Sequence, residues 1–200
     1  MLLLSRLLTV GLLLITALSC ENTRLVTSWK DPGTSQLNFH KILVLVLTKD
    51  DLVRRVGEDT LCSQITRAQC VPSYTIFPSE DLRSQEAIAQ AKVKELGFDG
   101  AVVMRMVDKT QQTSWVPGGY PGPYSSFYGY WGYGYGVAYS PGYLVTATIV
   151  RMETNIYSVV QDKLVWSGLS ETFNPSGPRD EMTGIIRVVG EQLRKEGMIL

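Results

Sequence analysis

The chain has 200 residues, with 19 basic and 19 acidic side chains, one histidine and three cysteines. That balance excludes the basic footprint of a nucleic-acid-binding protein and the polybasic surface that seeks anionic lipid. The length fits one domain with a single core, and so few histidines and cysteines leave little from which to build a zinc or iron site.

Residues 1–19 (MLLLSRLLTVGLLLITALS) carry one charge, Arg6. The apolar run from Leu7 to Leu18 has the length of a signal-peptide core and is too short to cross a bilayer comfortably. It ends in Ala17-Leu18-Ser19-Cys20, which resembles the lipobox of bacterial lipoproteins, with Ala17 at the position where leucine is commonest. The resemblance implies that residues 1–19 are removed and that Cys20 becomes the lipid-bearing first residue, holding the chain to the membrane. Two or three acyl chains anchor stably where one holds only marginally. Glu21, rather than aspartate, follows the cysteine, and by resemblance to the sorting rules of bacteria with two membranes this is compatible with delivery to the outer membrane, where the expectation is a lipoprotein facing the periplasm. Cys62 and Cys70 then remain as a pair in an oxidising compartment. A structural disulfide and two buried thiols both fit them, whereas their spacing is far from a redox C-x-x-C.

Residues 20–38 read as the lipidated cysteine and a polar tether that runs into a first extended segment; residues 39–200 read as an α/β domain. Lys41 to Thr48 is a continuous apolar run, the mark of a strand buried on both faces. Asp50 and Asp51 suit a helix start, and the helix should extend to about Ala68 with Val53, Val56, Leu61, Ile65 and Ala68 turned inward. On it, Arg54, Arg55, Glu58 and Asp59 fall at i, i+4 spacing and read as surface ion pairs. Val71 to Pro78 reads as a short strand. A helix capped by Ser79 or Ser84 follows to about Leu96, with Gly97 in the C′ position. Asp99 to Val107 is a third strand with room to extend towards Trp115. Tyr143 to Tyr157 and Lys163 to Phe173 form a hairpin through a turn near Gln161-Asp162. Pro178 opens a last helix, in which Met182, Ile185, Ile186, Val189 and Leu193 trace a core-facing stripe. The order β-α-β-α-β-β-β-α predicts one α/β domain, bordering on α+β, whose mixed sheet carries helices packed on it.

The segment 117–143 interrupts this pattern. It holds eight of the ten tyrosines and eight of the eighteen glycines, and no charged residue occurs from Thr110 through Val150. Tyr128, Tyr130, Trp131, Tyr133 and Tyr135 are its candidate partner-binding residues. Such rings stack on sugars, settle at membrane interfaces or pair with proteins, including copies of the same chain. A long tolerated connection without a ligand also fits.

Catalytic groupings are lacking. His40 stands at a strand edge with no G-x-S-x-G elbow to present a serine, and neither a P-loop nor a dinucleotide glycine fingerprint follows the first strand. Glu58, Asp59, Glu80, Asp81 and Glu171 are available to a hydrolase pair, but the sequence gives them no common site. The expectation is a non-enzymatic protein with no cofactor and no metal.

The lipobox ending at Cys20, Ile42 to Thr48, Arg54-Arg-Val-Gly-Glu-Asp59, Val71-Pro-Ser-Tyr74, Gly97-Phe-Asp-Gly-Ala-Val-Val103, the tyrosine–glycine insert and Lys163-Leu-Val-Trp-Ser-Gly168 occur in that order. Together they resemble a loosely defined group of bacterial envelope lipoproteins. What the resemblance implies is a small α/β domain on a lipid tether, with an envelope protein or peptidoglycan as partner and no established activity to carry over. More distantly, the element order is similar to the α/β domains of the TolB amino-terminal type and of the curli-secretion lipoprotein. That likeness implies a second expectation, a subunit of an outer-membrane secretion channel.

Overall fold

The second strand organises the sheet. In β2 (Lys41–Leu47) the side chains of Ile42, Val44 and Val46 point to one face and Leu43 and Leu45 to the other, and all but the partly buried Leu45 are shut from solvent. A strand apolar on both faces must be covered on both. The computed structural model, which describes residues 22–78, 85–116, 126–129, 131–132 and 142–198, shows how. β1 (Thr23–Lys30), β3 (Gln69–Pro72), β4 (Gly100–Val116), β5 (Tyr143–Ser158) and β6 (Lys163–Phe173) join β2 in one six-stranded sheet of order β1-β6-β5-β4-β2-β3. β2 pairs in parallel with β3 and β4, while the β4-β5-β6-β1 half is antiparallel. The expected single mixed α/β domain is the architecture observed.

Helices α1 (Asp51–Gln64) and α3 (Pro178–Lys195) supply Leu61, Met182, Ile185, Val189 and Leu193 to the larger core. There they meet Ile42, Val44, Val46, Val102, Met104, Val150, Met152, Ile156 and Trp166. Each fully buried side chain of this kind stabilises by about 1.5–3 kcal/mol. On the opposite face α2 (Glu86–Glu95) places Ala89 and Val93 against a smaller cluster of Leu43, Phe77 and Phe98. Trp166 is fully buried, and its indole N–H donates to Glu196 Oε2 at 2.9 Å. Gly168 makes room for it, since a Cβ there would lie 2.3 Å from the indole ring.

Local chemistry sets the boundaries. Asp50 caps α1, its Oδ1 accepting from Leu52 N and Val53 N at 2.9 and 3.1 Å. α1 stops at Gln64 rather than Ala68, because Ile65 turns extended and sends Gln69 and Cys70 into the sheet. β3 likewise ends at Pro72, where the expected strand gives way to a 3-10 turn over Ser73–Thr75. α2 begins at Glu86, and the proposed cap Ser79 or Ser84 lies outside the described residues. Gly97 takes the left-handed φ of +69° after it, and Phe98 N donates back to Val93 O at 3.2 Å, as in a Schellman ending.

The extended segment expected at the end of the tether is residues 23–30. They form the edge strand β1, paired with β6 from Thr23↔Thr172 to Lys30↔Trp166. An edge strand with one open face needs little apolar patterning, which is why the segment reads as polar. Thr23 packs so closely on α3 that a Cβ on Gly184 would stand 2.3 Å from its hydroxyl. Cys20 and the signal segment lie outside the described residues. Among those described, no helix is long and apolar enough to cross a membrane.

Candidate interaction surface

β4 and β5 outrun every neighbour. β2 last pairs with β4 at Leu47↔Arg105, and β6 last pairs with β5 at Phe173↔Ile149. Asn174 then turns the chain away with φ 44°, its side-chain Oδ1 accepting from Thr148 N at 2.6 Å and its own N–H donating to Thr148 O at 2.7 Å. Beyond this plug the two strands continue alone as a ribbon. Its cross-strand pairs are Gln111↔Thr148, Gln112↔Ala147, Thr113↔Thr146, Ser114↔Val145, Trp115↔Leu144 and Val116↔Tyr143. Six residues of strand project about 20 Å.

The ribbon carries no charge, and its apolar side chains gather at the far end. Trp115 is 59 %, Tyr143 63 % and Leu144 69 % exposed, and Val145 is exposed beside them. At its base lies a collar of ion pairs across four strands. Arg24 Nη2 meets Glu171 Oε2 at 2.9 Å, Arg151 Nη2 meets Glu171 Oε1 at 3.1 Å, and Arg151 Nη1 meets Asp108 Oδ2 at 3.1 Å. The hydrogen bond from Arg24, helped by the charges of Arg151 and Arg24 and opposed by burial, holds the Glu171 pKa below its ordinary value.

Of the residues singled out in the insert, Tyr128 and Trp131 are described; Tyr130, Tyr133 and Tyr135 are not. Phe127 gathers the two, with its ring centroid 5.4 Å from Tyr128 in an edge-on arrangement and 5.7 Å from Trp131. All three rings are exposed. Cys62 and Cys70 are joined, with Cα atoms 5.3 Å apart, so that the end of α1 is tied to β3.

The surface ion pairs expected on α1 divide into two kinds. Arg54 and Glu58 are buried, at 2 % and 0 % exposure, and form a polar hub. Glu58 Oε1 accepts from Ser73 Oγ at 2.6 Å, Val46 N at 3.1 Å and Arg54 Nε at 3.2 Å, while Oε2 accepts from Tyr74 N at 2.9 Å. Arg54 Nη2 also donates to Ser73 Oγ and Phe77 O at 2.9 and 3.0 Å. The hub therefore knots α1, β2 and the turn after β3. Arg55 and Asp59 stay outside, gripping Tyr74 through a ring contact at 4.9 Å and a hydroxyl–carboxylate hydrogen bond at 2.8 Å. The inward stripe is 54, 57, 58 and 61, an i, i+3, i+4, i+7 pattern that reading only the apolar residues conceals.

His40 is exposed, with Nδ1 3.0 Å from Asp99 Oδ2. Asp99 also accepts from His40 N and Lys41 N at 2.8 and 2.9 Å, which places the imidazole in a staple between strand starts. The other hydrolase candidates do not converge on it. Glu58 lies in the buried hub, Asp59 at Tyr74, Glu171 in the collar, and Glu80 and Asp81 lie outside the described residues.

A cavity is the feature sequence reasoning missed. α1 and α3 meet at Gly57, where a Cβ would stand 3.0 Å from Val46 Cγ2 and 3.4 Å from Met182 Cε. Further along both helices lies a cavity of about 400 Å³, lined by Leu61, Ile65, Met104, Thr154, Gly190 and Leu193 among others. The Thr154 hydroxyl is buried there without a hydrogen-bond partner among the described residues.

No family model matches the chain, and no curated protein does. Among solved structures it is similar to a dodecamer of PelC from Paraburkholderia phytofirmans, at 13 % identity and a TM-score of 0.42, covering 82 % of this chain and 94 % of that one. It is also similar to lipoprotein GNA1162 from Neisseria meningitidis, at 11 % identity and a TM-score of 0.39, covering 78 % and 99 %. A minor lipoprotein from Acinetobacter baumannii is similar at 10 % identity and a TM-score of 0.31, covering 78 % and 96 %.

Proposed function

We propose that this chain is a lipid-anchored protein of the bacterial cell envelope that works by contact rather than by catalysis. Cys20 carries the acyl chains, the α/β domain faces the periplasm from the outer membrane, and the β4–β5 ribbon is the contact element. The observation that carries this reading is the ribbon itself, an uncharged two-stranded projection with Trp115, Tyr143 and Leu144 exposed at its end. Exposed apolar patches of this sort mark interaction sites, and ribbon edges without a neighbouring strand offer backbone groups to a partner.

The test has two arms. Mass spectrometry of the protein from its host should find an amino-terminal peptide that begins at Cys20 and bears a diacylglyceryl group. Cys20→Ala should abolish that mass and release the domain from the membrane fraction; unchanged membrane partition of the variant would refute the anchor. A second reading, a subunit of an outer-membrane channel, is favoured by the length of β4 and β5 beyond their neighbours. It requires closed rings in native-like membranes, and a strictly monomeric particle there would remove it.

A further inference from the structure

The strand register fixes the side of the domain at which β1 starts. Thr23 pairs with Thr172, Thr172 with Val150 and Val150 with Lys109, so the start of β1 lies level with the base of the ribbon. β1 is antiparallel to β6 and β6 to β5, so passing from Thr23 back towards Asn22 follows the direction in which β5 runs from Val150 to Tyr143. Asn22 keeps to that course, its carbonyl accepting from Phe173 N at 2.7 Å. Cys20 lies two residues before Asn22, a reach of at most about 7 Å. From Ile149, level with Phe173, the ribbon runs about 20 Å to Tyr143. Its end therefore stands beyond the furthest point that Cys20 can reach along the strand direction, by about 13 Å.

We infer that the end of the ribbon seats in the headgroup region of the same leaflet that holds the acyl chains of Cys20; the inference rests on the lipidation proposed above. The side chains there suit that environment. Trp115 and Tyr143 combine an apolar ring with a polar tip, the chemistry enriched at membrane interfaces, and Val116 and Leu144 flank them on both faces. Lower down, Thr113 and Thr146 hydroxyls pair at 3.1 Å, and the remaining residues, apart from Val145 opposite Ser114, are Gln, Ser, Thr and Ala, all uncharged. The charged collar of Arg24, Glu171, Arg151 and Asp108, with Lys109, begins where the ribbon joins the sheet and sets how deep it goes. Amphipathic elements bury about 5–10 Å at such a boundary, which is less than the overhang computed from the register. Among the described residues the apolar end, Trp115, Val116, Tyr143, Leu144 and Val145, is too shallow to span a bilayer.

A nitroxide label tests this on the full lipidated chain. With Cys62 and Cys70 joined and Cys20 acylated, Ser114→Cys introduces a lone reactive thiol, and Gln161→Cys in the β5–β6 turn does so at the opposite end of the sheet. In vesicles of neutral phosphatidylcholine, the label at 114 should be several-fold better shielded from a water-soluble nickel relaxant than the label at 161, while remaining open to oxygen. Leu144→Asp should abolish most of that difference. A protein that floats with the vesicles while its label at 114 is as nickel-accessible as that at 161 overturns the inference and leaves the anchor standing. Spin–spin broadening between labels at 114 would also overturn it, in favour of contact between copies of the chain. A chain whose Cys20 carries no lipid by mass overturns both readings.

Discussion

Removing the Arg54 guanidinium should cost more stability than truncating any exposed side chain of α1. Arg54→Met keeps the apolar stem but deletes the hydrogen bonds to Glu58, Ser73 and Phe77. Breaking a buried pair by removing one partner costs about 3–5 kcal/mol, because the other charge is left buried. Glu58 would keep Val46 N, Ser73 Oγ and Tyr74 N as donors, which places the loss at the lower end, about 3 kcal/mol. For a domain of this size that corresponds to a fall in Tm of roughly 6–12 °C. The double variant Arg54→Met/Glu58→Leu removes the stranded charge but orphans Val46 N and Tyr74 N, so it should fall short of the summed losses of Arg54→Met and Glu58→Leu by about 0.5–3 kcal/mol. Urea unfolding followed by tryptophan fluorescence measures both single variants and the double variant against the parent. A loss below about 1 kcal/mol for Arg54→Met, with an unchanged denaturant slope, would refute the hub as a structural knot.

Three further outcomes follow from the same geometry. Replacing Cys62 and Cys70 together by alanine should lower stability by about 2–3 kcal/mol in the chain-entropy model, read from urea midpoints with and without reductant; a shift only in the parent on adding reductant is expected. Glu171, whose pKa is depressed chiefly by the Arg24 hydrogen bond, contributes stability that is present above the ordinary carboxylate range and is lost as pH falls through its lower folded value. Glu171→Gln should therefore lie below the parent in urea midpoint near neutrality and converge with it in acid, and parallel pH curves would contradict the collar. Thr154→Val removes a buried hydroxyl that has no partner among the described residues and keeps its shape, so it should raise stability by about 1 kcal/mol. A fall in the urea midpoint would show that the hydroxyl is hydrogen-bonded in the native protein.

The sheet was legible where a physical signal is local. The double-faced apolar run of β2, the Asp50 cap, the Gly97 ending and the stripe on α3 each state their structure within a few residues. β1 was legible only as an extended segment without bounds, because an edge strand held by backbone pairing and by the small surface of Gly184 leaves almost no apolar pattern. The hub was hidden for a related reason. Arg54 and Glu58 are inward only because Ser73, Tyr74 and Val46 supply partners from 12 to 19 residues away, and spacing on one helix cannot show that. The ribbon was visible as a charge-free stretch, but its projection past β2 and β6 depends on where those strands end. The start of β1 level with the ribbon's base follows from register alone, which no single segment encodes.

The claim at the centre is that this domain acts through contact made by its ribbon. A photo-crosslinking residue at Trp115 in the native host, with Gln192 on α3 as the control site, tests it most directly. The account predicts adducts with envelope material at 115, membrane lipid first among them, and little at 192. Equal yields at the two sites, or none at 115 in a correctly anchored protein, would contradict it.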